Sequence, residues 1–234
     1  MDIKEAVVLG AGAAPARARK WSAKTVATVA MLSAVAFLAK LISNVLPEVA
    51  GFLSFDLRDI VIVIGGFICG PLAAAVIAVI TALVEMLTIS STGPIGLVMN
   101  ILSSCSFAWV ASVIYRKNHS MKGAVLALVT GVIVMTGMMV LWNYLITPLY
   151  MHVERSVVAG MLLSVFLPFN LVKGGINATL TMLLYKPVVT ALRRAGLVQP
   201  VSGEGHGVKW AVTAVSALLF ACFVLLALRL AGVI

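Results

Sequence analysis

Hydrophobic runs long enough to cross about 30 Å of hydrocarbon recur along the chain between short polar breaks. Periodicity inside them is weak, as in helices that are apolar nearly all round. The first run, Trp21 to Leu46, ends at Pro47; Glu48, Asp56, Arg58 and Asp59 then mark a polar loop around Phe52-Leu53-Ser54-Phe55, expected outside the membrane. The next run, Ile60 to Leu87, is interrupted at Gly65-Gly66 and Gly70-Pro71 and reads either as one kinked span or as two spans joined by a tight turn. Charge parity separates the two. A single span would put Arg116-Lys117-Asn118-His119-Ser120-Met121-Lys122, and later Lys186, Arg193 and Arg194, outside, against the bias of basic residues for the inner face. A break at Gly70-Pro71 puts every one of these clusters inside. The piece ahead of the break, Asp59 to Gly70, is then roughly 18 Å long at about 1.5 Å per residue, too short to cross unaided. It has to be shielded by neighbours or border a cavity.

Helix three is expected over Leu72 to Leu87, helix four over Ile95 to Tyr115 and helix five over about Gly123 to Ile146. Pro148 to Leu167, with His152, Glu154 and Arg155 ahead of a short apolar segment, reads as an outer loop folded back over the bundle. Helix six is expected from Pro168, in a first turn where a missing N–H costs nothing, to about Val189. Gln199 to Gly207 is a Pro/Gly/Ser linker, and Val208 to Ala231 is a further apolar span without an intramembrane acid, amide or histidine, expected to be an anchor or a contact surface. Asp2 and Glu5, followed by Arg17, Arg19 and Lys20, run in the wrong order for a cleavable signal peptide and predict a cytosolic tail. The predicted fold is an all-α integral membrane protein. It comprises a tail over 1–20, a six-helix bundle over 21–197, a linker over 198–207 and an extra transmembrane helix over 208–234.

Composition agrees, since 62% hydrophobic and 11% charged residues over 234 positions leave too little polar surface for a soluble globule. A net charge of +9 would suit nucleic acid, but the basic residues flank hydrophobic spans, so the expected partner is the lipid bilayer of the cell membrane and no nucleic acid. Cys69, Cys105 and Cys222 stand singly in apolar segments, without CxxC or Cys/His spacing, and are expected to be small core residues and not metal ligands.

Inside the spans, helices three to six each carry a strong polar side chain: Glu85, Asn100, Asn143, and the set Asn170, Lys173 and Asn177. An unpaired ammonium in hydrocarbon costs about 2.5 to 3.5 kcal/mol even on a lenient scale, so Lys173 either faces a partner, ligand or water-filled cavity, or snorkels to an interface. Asn170, Lys173 and Asn177 share one helix face. Glu85, Asn100, Asn143 and Asn170 fall in the outer half of the membrane. Singly, each asparagine could be a helix-packing hydrogen bond; together with Lys173 and an overlying loop they favour a pocket. Amides offer a donor and an acceptor, and lysine a cationic donor. The set suits a planar ligand with carbonyl, N–H and ring-nitrogen groups, its apolar faces covered by Phe52, Phe55, Trp142 and Phe169, unless these aromatics form an interfacial belt.

Ala27, Ala30 and Ala34 form a stripe of small residues on helix one that would let a second helix approach, from this chain or from a partner. Gly66 and Gly70 give the same spacing. No GxxxxGK[ST], HExxH or GxSxG sequence is present, and the histidines lie in loops or the linker, so neither ATP hydrolysis by a phosphate loop nor other catalysis is expected.

Four ordered motifs carry a family resemblance: Phe55-Asp56-Leu57-Arg58-Asp59-Ile60; Ile64-Gly65-Gly66-Phe67-Ile68-Cys69-Gly70-Pro71-Leu72-Ala73; Asn143-Tyr144 followed by Thr147-Pro148-Leu149-Tyr150; and Pro168-Phe169-Asn170-Leu171-Val172-Lys173-Gly174. Over about Trp21 to Leu197 the chain resembles the riboflavin-specific substrate-binding (S) components of energy-coupling factor (ECF) transporters, six-helix proteins that capture vitamins for an ATP-driven module. The resemblance implies that Asn143, Asn170 and Lys173 hydrogen-bond a flavin and that the alanine stripe docks on a coupling transmembrane subunit served by two ATPases. Riboflavin would be transported cargo, with no cofactor. Leu83-Val84-Glu85-Met86 departs from the Lys-Asn pair of many relatives, and the extra helix lies outside the pattern. Two amides and a lysine would also suit a biotin-like carboxylate. A membrane enzyme acting on lipids should show clustered acids or histidines, which the sequence lacks.

Overall fold

The computed structural model describes residues 21–197 and 210–234; the expected tail and linker lie outside them. Among the described residues there are seven helices. They are α1 (Ala23–Ser43), α2 (Arg58–Cys69), α3 (Pro71–Thr88), α4 (Gly93–Lys117), α5 (Met121–Met151), α6 (Arg155–Arg194) and α7 (Trp210–Leu230). All but α2 are long and apolar enough to cross a membrane.

The break at Gly70-Pro71 is present and has a local cause. Gly70 takes φ 98° and ψ 169°, a conformation that a side chain disfavours, and Pro71 opens α3 where its missing N–H is not needed. Close to the break, Phe67 stacks on Tyr115 with ring centroids 4.2 Å apart, and Tyr115 and Tyr185 bring their hydroxyls within 3.3 Å. The break therefore lies at the same end of the bundle as Arg116, Lys117 and Lys186, as charge parity requires.

Twelve residues of α2 reach about 18 Å. The helix is shielded on its flanks by α1, α3, α4 and α6, with Ile62 and Val63 at 0% exposure. Gly66 makes the closeness possible: a Cβ there would lie 2.8 Å from that of Ala74 and 3.1 Å from that of Ser112. The Gly66 and Gly70 spacing thus serves internal packing and the turn. Of the cysteines, Cys69 and Cys105 are half-buried, whereas Cys222 is exposed on α7 and is not a core residue.

The fold-back loop expected over Pro148 to Leu167 is replaced by helix. α5 runs through Pro148 to Met151 and stops at His152, which adopts a left-handed φ of 53°. α6 begins at Arg155 and continues through Pro168 to Arg194. Proline at that position cannot donate to the carbonyl of Ser164 and crowds it, and a widened π turn over Leu162–Phe166 accommodates the ring. The segment lying over the bundle is instead the α1–α2 loop, folded on a tight turn at Ala50 and Gly51 (φ 54° and 74°) and closed by paired Val49–Leu53 backbone bonds of 2.8 and 3.0 Å.

Candidate ligand site beneath the first loop

The charged end of the polar loop after α1 is not solvated. Asp56, Arg58 and Asp59 are 3%, 2% and 1% exposed, although their sequence context suggests a loop in water. They turn inward because each finds a partner. Arg58 donates through one terminal nitrogen to Glu85 of α3 and through the other to Asp56 at 2.6 Å. Lys40 of α1 lies 3.5 Å from Glu85 and 3.8 Å from Asp56. Asn100 of α4 donates to Glu85 at 2.8 Å, and Ser104 donates to Asp59 at 2.5 Å. Buried charges persist only when paired and hydrogen-bonded in this way.

Glu85 and Asn100, both expected to touch ligand, are therefore brought together, but the Glu85 oxygens are engaged by Arg58, Lys40 and Asn100. Neither Lys40 nor Arg58 was among the expected site residues. The rule that singled out Lys173, an ionisable group in an apolar helix, applies equally to Lys40.

On α6 the spacing of Phe166, Asn170, Lys173 and Asn177 makes one continuous stripe. Asn170 and Asn177 are buried, and Lys173 is half-buried between them. Asn177 donates to the backbone carbonyl of Asp56 at 2.9 Å, and the Lys173 ammonium acts electrostatically on both Asp56 and Asp59. Burial works to raise the Asp56 carboxyl. Arg58, Lys173 and Lys40 together outweigh it and hold Asp56 below its ordinary value. The loop also lays its aromatics on and beside the start of this stripe. Phe55 meets Phe169 at 5.2 Å and Phe52 meets Phe166 at 6.0 Å, while Trp142 is half-buried against the main core.

The amides of Asn143 and Asn170 donate back to the carbonyls of Met139 and Phe166, at 2.7 and 2.8 Å, and Thr147 donates to the Asn143 carbonyl oxygen at 2.8 Å. Each NH2 group has a second hydrogen to offer. Ser103 Oγ, Thr136 Oγ1 and Asn177 Oδ1 are buried polar atoms without a protein hydrogen bond, one each from α4, α5 and α6. They lie on the helices that supply Asn100, Asn143 and Lys173, and such atoms are expensive to leave unmet. Ala27, Ala30 and Ala34 are all exposed, so internal packing does not explain the alanine stripe.

Residues 24–185 match the family model of the substrate-specific component of ECF transporters. The chain belongs to this family. Similar proteins include the riboflavin transporter RibU of Staphylococcus aureus (strain TCH60), 31% identical over 177 residues that cover 73% of this chain and 93% of that protein. The riboflavin transporter FmnP of Bacillus subtilis (strain 168) is 30% identical over 189 residues, covering 74% of this chain and 97% of its own. A solved S component of a bacterial ECF transporter superposes with a TM-score of 0.62 at 30% identity, covering 73% of this chain and 98% of that one. The α7 helix of this S component lies beyond the matched residues.

Proposed function

We propose that this S component binds riboflavin at the end of the bundle covered by the α1–α2 loop and delivers it to an ATP-driven module without catalysing a reaction. The observation that carries the reading is the Asn170, Lys173 and Asn177 stripe, which sets a half-buried ammonium between two amides beneath aromatic side chains, in a protein whose relatives include riboflavin transporters. Asn143 and Asn170 supply amide contacts to the flavin, Lys173 a charge-assisted donor, and Phe55 an apolar cover. Glu85 and Asn100 hold the loop in place from beneath. The basic end, with Arg116, Lys117, Lys122 and Lys186, faces the cytoplasm, and so does the N-terminus; the loop end faces outward. Ala27, Ala30 and Ala34 form the docking face for a coupling membrane subunit that works with two ATPases, because small exposed residues admit a helix at close range.

The test is direct. Protein purified in detergent should be yellow or, once stripped of ligand, should quench the fluorescence of added riboflavin in a saturable titration. A colourless protein that leaves added riboflavin fluorescent at every concentration refutes the ligand.

A further inference from the structure

The helix outside the family pattern is fastened to the ligand end. Phe223 of α7 covers Gly175 of α6 so closely that a Cβ on Gly175 would lie 2.5 and 2.6 Å from two carbons of its ring. Phe220, Phe223, Ala227 and Leu230 fall on one face of α7. That face enters a single apolar cluster with Phe169, Val172 and Ile176 of α6 and with Val49, Leu53, Phe55 and Leu57 of the α1–α2 loop. The rest of α7 is mostly exposed. One α6 surface, Phe169 to Ile176, thus touches loop and α7 together, while the adjoining stripe of the same helix presents Asn170 and Lys173.

We propose that α7 is a built-in clamp on the α1–α2 loop, with Phe223 and Ala227 as positioning residues that slow the release of ligand. The loop reaches the ligand stripe through Phe52, which meets Phe166, and through the Asp56 carbonyl held by Asn177, while Phe55 lies beside it on Phe169. For bound ligand to leave past the loop, Val49, Leu53 and Phe55 must come away from the cluster that α7 completes. Packing that holds in the closed loop and breaks as it opens lengthens residence, and affinity differences among related complexes reside mostly in the dissociation rate. The clamp as a control on release rests on the riboflavin reading; the restraint of the loop itself does not.

The experiment uses the full chain in lipid nanodiscs and two variants, Phe223→Ala, which removes the ring that covers Gly175, and Gly175→Ala, which pushes Phe223 off α6. Amide hydrogen exchange over residues 49–57 is followed without ligand, and riboflavin dissociation is followed by recovery of flavin fluorescence. Both variants should speed exchange in the loop and riboflavin release by roughly tenfold. Association should change much less, and exchange in α2 to α5 should stay as in the unsubstituted protein. Phe223→Leu, which keeps an apolar side chain over Gly175, should restore most of the residence time. Unchanged release, or faster exchange spread evenly over every helix, overturns the clamp. Faster loop exchange in the variants of a protein that fails to bind riboflavin at all sustains the restraint and refutes the ligand instead.

Discussion

Asn177 donates a 2.9 Å hydrogen bond to the main-chain carbonyl of Asp56, joining the middle of α6 to a loop 121 residues earlier in the chain. The bond fixes loop backbone, so its effect falls on the loop's position and not on loop chemistry. A net hydrogen bond is worth about 0.5 to 1.5 kcal/mol. Asn177→Ala should therefore weaken riboflavin binding about two- to tenfold in a fluorescence titration, while the melting temperature falls by a few degrees at most.

Lys173 is the sharpest test of the ligand contacts. Losing a hydrogen bond to a charged group costs about 1.5 to 3 kcal/mol, so Lys173→Ala should raise the dissociation constant about ten- to a hundredfold in folded protein. Lys173→Arg should recover only part of the loss, because a planar guanidinium does not fit the geometry of a compact ammonium. Unaltered affinity in the alanine variant would remove this residue from the site.

Arg58 bridges Asp56 and Glu85 out of contact with water, and removing one member of such a group leaves its partners buried and uncompensated. Arg58→Met should destabilise the detergent-solubilised protein by about 3 to 5 kcal/mol, read from chemical unfolding. The pH response follows from the lowered Asp56 carboxyl. A depressed folded-state value contributes stability above the ordinary unfolded value of about 3.9, and that contribution is lost as pH falls through the folded value. Acidification from pH 7 to 5 should leave the Asp56 contribution intact, with the loss confined to more acidic solution.

Enlarging the exposed alanine face of α1 should separate binding from transport. Ala30→Leu combined with Ala34→Leu should leave riboflavin titrations within about twofold of the parent, since both positions face away from the bundle. Uptake by cells should be abolished. Retained uptake would locate the docking surface elsewhere.

Helix number and the α2–α3 break were legible because their signals are local: apolar run length, a Gly-Pro pair, and basic clusters whose side of the membrane must agree. The stripe on α6 was legible for the same reason, since its residues lie within two turns of one another. The region from Pro148 to Leu167 was misread because Pro168 looked like a helix start. The π turn that lets a helix continue through it leaves no mark in composition. The network around Arg58 was also hidden. Asp56, Arg58 and Asp59 have the composition of a hydrated loop, and their burial depends on Glu85 and Ser104, which are 27 and 45 residues from Arg58 and Asp59 and adjacent only after folding.

The shortness of α2 bears on how the chain enters the bilayer. A 12-residue helix begun by Arg58 and Asp59 offers too little apolar length to be accepted by lipid as an independent unit. The tight Gly70-Pro71 turn lets α2 travel with α3 as an inserting hairpin, its charged mouth neutralised only once Lys40 and Glu85 have arrived from either side. Biogenesis is then ordered by geometry: α1 must already be in the membrane, and α3 must enter together with α2, before α2 can rest there. A defect in the Arg58 network would first be felt by the insertion and quality-control machinery, as missing protein, ahead of any failure of transport.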